Sequence, residues 1–192
     1  MVISLSPPGI KCQVGDFVML ALPSVALAKE GRLPKANLIL YTEVGLPVGF
    51  PLPPNLVAGA GEYEISGVRV KGVSLEKEKN NGQLLKTVYL AELEGIRLAF
   101  LGELESESID EIIDKLGTVD ILFLSVPHGG TKQITTLIKQ VDPKIIIPVG
   151  DKTAKLLAEE LGQKVEAHEK LVIKKKDLDK EQIVGKLIWL KS

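Results

Sequence analysis

A mixed α/β fold with helices packed outside its sheets is predicted by two observations. The first half of the chain reads as short strands joined by Gly- and Pro-containing turns. The second half alternates apolar strands with amphipathic helices, a β-α-β-α-β run. A chain of 192 residues suits one domain, here spanning 1–192. Its 45% hydrophobic and 26% charged residues give the ordinary balance of a globular core and a solvated surface.

The strands come first. VISL from Val2 and FVMLAL from Phe17 flank a Pro-Pro-Gly turn and a Gly-Asp turn. NLILYT, from Asn37 to Thr42, is an almost unbroken apolar run, the pattern of a strand buried on both faces. The stretch EVGLPVGFPLPPN after it reads as a loop, because proline fixes φ and removes a ladder donor. In EYEISGVRVKGVSL, Val68 and Val70 share one face and Arg69 and Lys71 the other. EKEKNNGQ is a polar turn. TVYLAELEGIRLAFLG is a hairpin turning at Glu94-Gly95.

Three helices are expected next. Ser108 and Glu111 form a capping box ahead of the stripe Ile109, Ile112, Ile113 and Leu116, which Gly117 stops. Thr131 is placed to cap a second helix carrying Ile134, Leu137, Ile138 and Val141, and Asp151 a third carrying Ala154, Leu157, Ala158 and Leu161. DILFLSV and KIIIPVG are the buried strands between them, and KLVIKKK and GKLIWLK are late strands. Lys174-Lys175-Lys176 reads as a solvated strand end.

Charge and composition narrow the function. A net charge of −1 gives no global field for nucleic acid or an anionic membrane. No apolar segment is long enough to span a bilayer, and no signal-peptide pattern opens the chain. One cysteine, Cys12, rules out an intrachain disulfide and agrees with a reducing, cytoplasmic setting; it is expected to be a buried, inert thiol. There is no G-x-S-x-G elbow, so Ser125 and His128 read as a strand-end hydroxyl and a loop histidine. Phosphate-cradling glycine loops are absent as well. Zinc needs His, Cys or carboxylate ligands at suitable spacing. The chain has two histidines, His128 and His168, and no H-x-H, H-E-x-x-H or C-x-x-C.

Six stretches, in order, resemble the small metal-dependent hydrolases of the metallo-β-lactamase superfamily. They are PGIKCQVGD, NLILYTEVGLPVGF, GAGEYEISGVRVKGV, TVYLAELEGIRLAFLGELE, DILFLSVPHGG and VDPKIIIPVGDKT. The resemblance implies a four-layer αββα sandwich with its site between the ends of the two sheets. It also implies a loss. Where the family carries T-H-x-H-x-D-H, this chain has Glu43, Gly45, Pro47 and Val48 at the ligand positions; Glu103 stands for the aspartate of F-x-G-D, Gly150 for the late histidine and Ile10 for the early one. The remnant cleft then comprises Glu43, Glu103, Ser125, His128, Gly150 and Asp151. The expectation is a non-catalytic binding, regulatory or scaffold protein with no zinc or other cofactor. The alternative is a hydrolase with a carboxylate-based site for a hard cation such as Mg²⁺ or Ca²⁺. Partners are expected among small molecules, proteins or further copies of the chain, not nucleic acid or membrane.

Overall fold

The computed structural model describes residues 1–7, 9–23, 35–46, 52–74, 84–103, 109–126, 131–179, 183 and 185–191. The expected Ser108 cap, the polar turn at 76–83, Pro47, Val48 and His128 lie outside these residues.

The chain opens with a meander. β1 (Val2–Ser6), β2 (Gly9–Val14) and β3 (Phe17–Leu22) pair antiparallel. β4 (Leu38–Tyr41) lies parallel to β3. β6 (Leu56–Val57) and β14 (Lys170–Val172) complete a six-stranded sheet ordered β14-β1-β2-β3-β4-β6. All four residues of β4 are buried, as its apolar run requires.

The second sheet begins with β7 (Gly61–Ile65) and β8 (Val68–Ser74), then β9 (Leu84–Leu93) and β10 (Ile96–Phe100). Glu94 and Gly95 both take positive φ, the geometry of the expected two-residue hairpin turn. Val68 and Val70 point into the core while Arg69 and Lys71 stay exposed. Beyond β10 the pairing switches to parallel: α1 (Ile109–Leu116) leads to β11 (Ile121–Leu124), α2 (Thr131–Val141) to β12 (Ile145–Pro148), and α3 (Asp151–Glu160) follows. β13 (Ala167–His168) pairs with β16 (Trp189–Leu190), and β15 (Lys186–Leu187) joins the edge beside β12.

The two sheets face each other across one core. Ile3, Met19, Leu38 and Leu40 of the first meet Tyr89, Leu98, Phe123 and Ile147 of the second. Outside the second sheet, Ile112 and Leu116 of α1, Leu137 and Ile138 of α2 and Leu157 of α3 cover Leu122, Leu124 and Ile146. The helices therefore bury Ile112, Leu116, Ile134, Leu137, Ile138, Ala154 and Leu157 of the stripes the sequence marked, while Ile113, Val141, Ala158 and Leu161 are half-buried at their margins. The outer face of the first sheet carries a third apolar cluster that includes Leu20, Ile39, Tyr41 and Leu56, all buried. No helix among the described residues is long and apolar enough to cross a membrane.

Five sequence expectations need correction. Glu43–Gly45 is a short strand, β5, antiparallel to β9, not loop: Val44 is buried, and burying its backbone requires ladder partners. Asp151 is the first residue of α3, not its cap; Gly150 holds the cap position and makes no side-chain bond. Thr131 likewise starts α2 rather than preceding it. Lys174-Lys175-Lys176 is not a strand end. Asp177 bonds back to the Lys174 backbone N–H at 3.0 Å, which starts a helical turn, α4 (Lys175–Leu178). GKLIWLK splits into β15 and β16 around buried Ile188.

Candidate functional site

Parallel strands end on the same side of a sheet, so the segments that follow them gather at one rim. Here the ends of β10, β11 and β12 bring Gly102, Glu103, Ser125 and Val149 together. The first sheet supplies Gly9, Ile10, Ala21, Leu22, Pro23 and Thr42 opposite them. Between them lies a cleft of about 90 Å³, floored by Phe100 and Phe123. Those two rings are cross-strand neighbours and stack at 4.5 Å, only 6° from parallel.

Backbone bonds hold the rim in register. Ser125 N–H donates to the Gly102 carbonyl at 3.3 Å, and Val149 N–H to the Leu124 carbonyl at 2.8 Å. Val126 N–H donates to Thr153 Oγ1 at 3.3 Å, so α3 anchors the segment leaving β11 through a buried threonine. Two glycines sit where neighbouring segments approach closely. Gly102 has φ +67°, and an added Cβ would lie 2.8 Å from Thr42 Oγ1. A Cβ on Gly9 would meet the Ala21 carbonyl oxygen, a backbone atom that cannot yield.

The polar inventory of the cleft is small. Glu103 brings a carboxylate, and Ser125 and Thr42 bring hydroxyls. The Thr42 hydroxyl lies 3.3 Å from both the Leu22 and Pro23 carbonyl oxygens, so its proton is directed at the backbone. Ile10 and Val149 offer carbon only.

Of the residues the sequence nominated, Glu103 and Ser125 line this cleft. Glu43 does not; on β5 its cross-strand partner is Lys86, itself buried. Gly150 follows Val149 without lining the cleft. Asp151 is exposed and accepts the Trp189 indole N–H at 3.3 Å. His128 is outside the described residues, and His168 sits on β13, away from the cleft. The sequence reading missed Gly9, Thr42, Gly102 and Thr153. The signal available for Thr42 and Gly102 was their place one residue beyond a buried run, in LILYT and AFLG.

Burial sets the titration of the nearby core. The Cys12 thiol is pushed up to about 12 by desolvation, and the Tyr89 phenol to about 12 by the same cause, against a hydrogen bond from Gly59 N–H. Tyr41 is raised by burial, and its hydroxyl has no hydrogen-bond partner among the described residues.

This arrangement is that of a known superfamily. Residues 21–150 match the family model for the beta-lactamase superfamily domain, and the chain belongs to that family. The fold matches as well. A proposed Zn-dependent hydrolase of the metallo-beta-lactamase superfamily from Thermotoga maritima superposes with a TM-score of 0.71 at 17% identity, covering 98% of this chain and 97% of that one. The metallo-beta-lactamase fold protein YhfI from Bacillus subtilis gives a TM-score of 0.59 at 7% identity, covering 100% and 96%. A proposed metal-dependent hydrolase from Parabacteroides distasonis gives 0.57 at 18%, covering 95% and 88%. At these identities the likeness is one of fold. No curated protein matches the sequence.

The donor set can be tested against the zinc centre the family implies. Among the described residues no three His, Cys, Asp or Glu gather in one place. The cleft offers one carboxylate and two hydroxyls, and no imidazole or thiolate among the described residues lines it. Zinc favours nitrogen, sulfur and carboxylate ligands, four in a closed site or three with an open position. The described lining does not fit that requirement.

Proposed function

We propose that this chain is a non-catalytic member of the metallo-β-lactamase superfamily, a binding or scaffold protein that keeps the sandwich without zinc-dependent hydrolysis. The observation that carries the reading is the composition of the cleft. The rim where strand ends converge presents Ile10, Val149 and two stacked phenylalanines around a single carboxylate among the described residues. A volume of about 90 Å³ holds roughly three waters, well below the usual range for organic ligands. The test is a hydrolysis panel of β-lactam, thioester, phosphodiester and phosphonate ester substrates, with added Zn²⁺ or Mn²⁺. Turnover is expected to match buffer and to be the same for Glu103→Ala. Turnover above buffer that Glu103→Ala abolishes would overturn the reading.

One observation favours a second reading. Every polar side-chain atom described in the cleft is an oxygen, the donor type that suits Mg²⁺ or Ca²⁺. A saturable rise in Tm with either ion, lost in Glu103→Gln, would put an oxygen-ligated cation there.

A further inference from the structure

We propose that a second site lies at the opposite side of the sandwich from the β7 edge, where edge strands β14 and β15 of the two sheets leave a slot of about 400 Å³, and that it binds a small phosphorylated molecule. Three lysines from three elements converge on it: Lys164 after α3, Lys170 on β14 and Lys186 on β15. His168 stands beside them, and Glu166 is the one carboxylate in the lining. None of the three lysines has an acid partner among the described residues.

Lysine on an edge strand ordinarily guards it against pairing with another chain. That accounts for Lys170. It accounts less well for Lys186, because the free edge of β15 is already covered. The Gln163 side-chain amide donates to the Gly185 carbonyl at 2.8 Å and accepts from Leu187 N–H at 2.9 Å, acting as a surrogate strand. The same clamp ties the backbone that carries Lys164 to the backbone that carries Lys186, which preorganises the pair. Three ammonium groups around one slot outnumber its single described carboxylate, Glu166, and an anion offsets that excess of positive charge. Lysine meets phosphate as a compact point charge.

The floor sets the class of ligand. Val165, Leu171, Leu187 and Ile188 give an apolar surface under the charges, and the volume falls in the range of small-molecule sites. A phosphoryl group carried on a flat organic body satisfies both features.

Calorimetric titration with ADP, and with inorganic pyrophosphate, tests the assignment. Saturable binding of ADP, tighter than that of pyrophosphate, is expected. Lys164→Gln combined with Lys186→Gln should weaken it about tenfold or more, the worth of one charge-assisted hydrogen bond. Lys186→Arg should retain it within a few-fold. Lys152→Gln with Lys155→Gln, exposed on α3, should leave it unchanged. All four lysines are exposed, so the variants should melt with the wild type. Equal affinity in both double variants, or no saturable binding, overturns the proposal. So does a single-stranded oligonucleotide that binds more tightly than ADP by an amount growing with its length, which would mark a polyanion surface instead.

Discussion

Asp120 ties three parts of the fold together at the end of the sandwich away from the cleft, and Asp120→Asn should loosen all three. Its carboxylate accepts from Arg97 N–H at 2.8 Å, Arg97 Nε at 3.2 Å, Arg97 Nη2 at 3.1 Å and Lys175 Nζ at 2.8 Å. It thereby joins β10, the start of β11 and α4. Burial disfavours the charge, but the Arg97 and Lys175 bonds outweigh burial and hold the group at about 2, against an ordinary value of 3.8. A depression of that size corresponds to about 2.5 kcal/mol. The Arg97 and Lys175 side chains are 43% and 41% exposed, so solvent screening reduces the usable part to about 1–2 kcal/mol. The folded-state value lies below the unfolded one. The stabilisation is therefore complete above about pH 4 and is lost as pH falls toward 2. Asp120→Asn keeps the shape but turns an amide N–H₂ toward two cations. It should cost about 2–3 kcal/mol at neutral pH. Urea denaturation followed by circular dichroism from pH 7 to pH 2.5 reads the effect. The gap between wild type and variant should narrow by about 1–2 kcal/mol through the acid range. A gap that stays constant with pH would refute the electrostatic account.

Other perturbations test the packing. Leu137, fully buried on the inner face of α2, should cost about 2–5 kcal/mol as Leu137→Ala, whereas half-buried Ile113→Ala should cost about 1–2 kcal/mol in the same denaturation assay. Tyr41→Phe removes a buried hydroxyl that has no partner among the described residues; it should leave stability unchanged or raise it by about 1 kcal/mol, and a loss above that would reveal a bond to the hydroxyl. Cys12, buried with its thiol near 12, should resist an aromatic disulfide reagent at pH 8 until urea unfolds the chain. Rapid labelling of the native protein would show that the sheet opens.

Much of the fold was legible because periodicity and turn chemistry are local. The valine alternation in VRVKG, the Glu94-Gly95 hairpin and the stripes through Leu116, Leu137 and Leu157 each follow from a few neighbouring residues. The errors came partly from tertiary context and partly from helix-start chemistry read one residue off or not at all. Glu43–Gly45 becomes a strand because Lys86 and Leu85 of β9 lie beside it, which no local signal announces. Lys174–Lys176 turns into a helix start through Asp177, three residues on. The site divided along the same line. Glu103 and Ser125 were marked by strand ends and by the family pattern, and both line the cleft. Glu43 follows β4 in sequence, but its pairing to β9 takes it off the cleft. Gly9 and Gly102 matter because the Ala21 backbone lies against the first and the Thr42 side chain against the second, contacts made by distant segments that neither sequence stretch announces.

The proposal that the rim of this superfamily fold holds no zinc is tested most directly by metal stoichiometry. Protein expressed with added zinc, dialysed against chelator and measured by elemental mass spectrometry should carry well under one zinc per chain. Stoichiometric zinc that survives dialysis and disappears in Glu103→Ala would contradict the account and return the chain to the metal-dependent hydrolases it resembles.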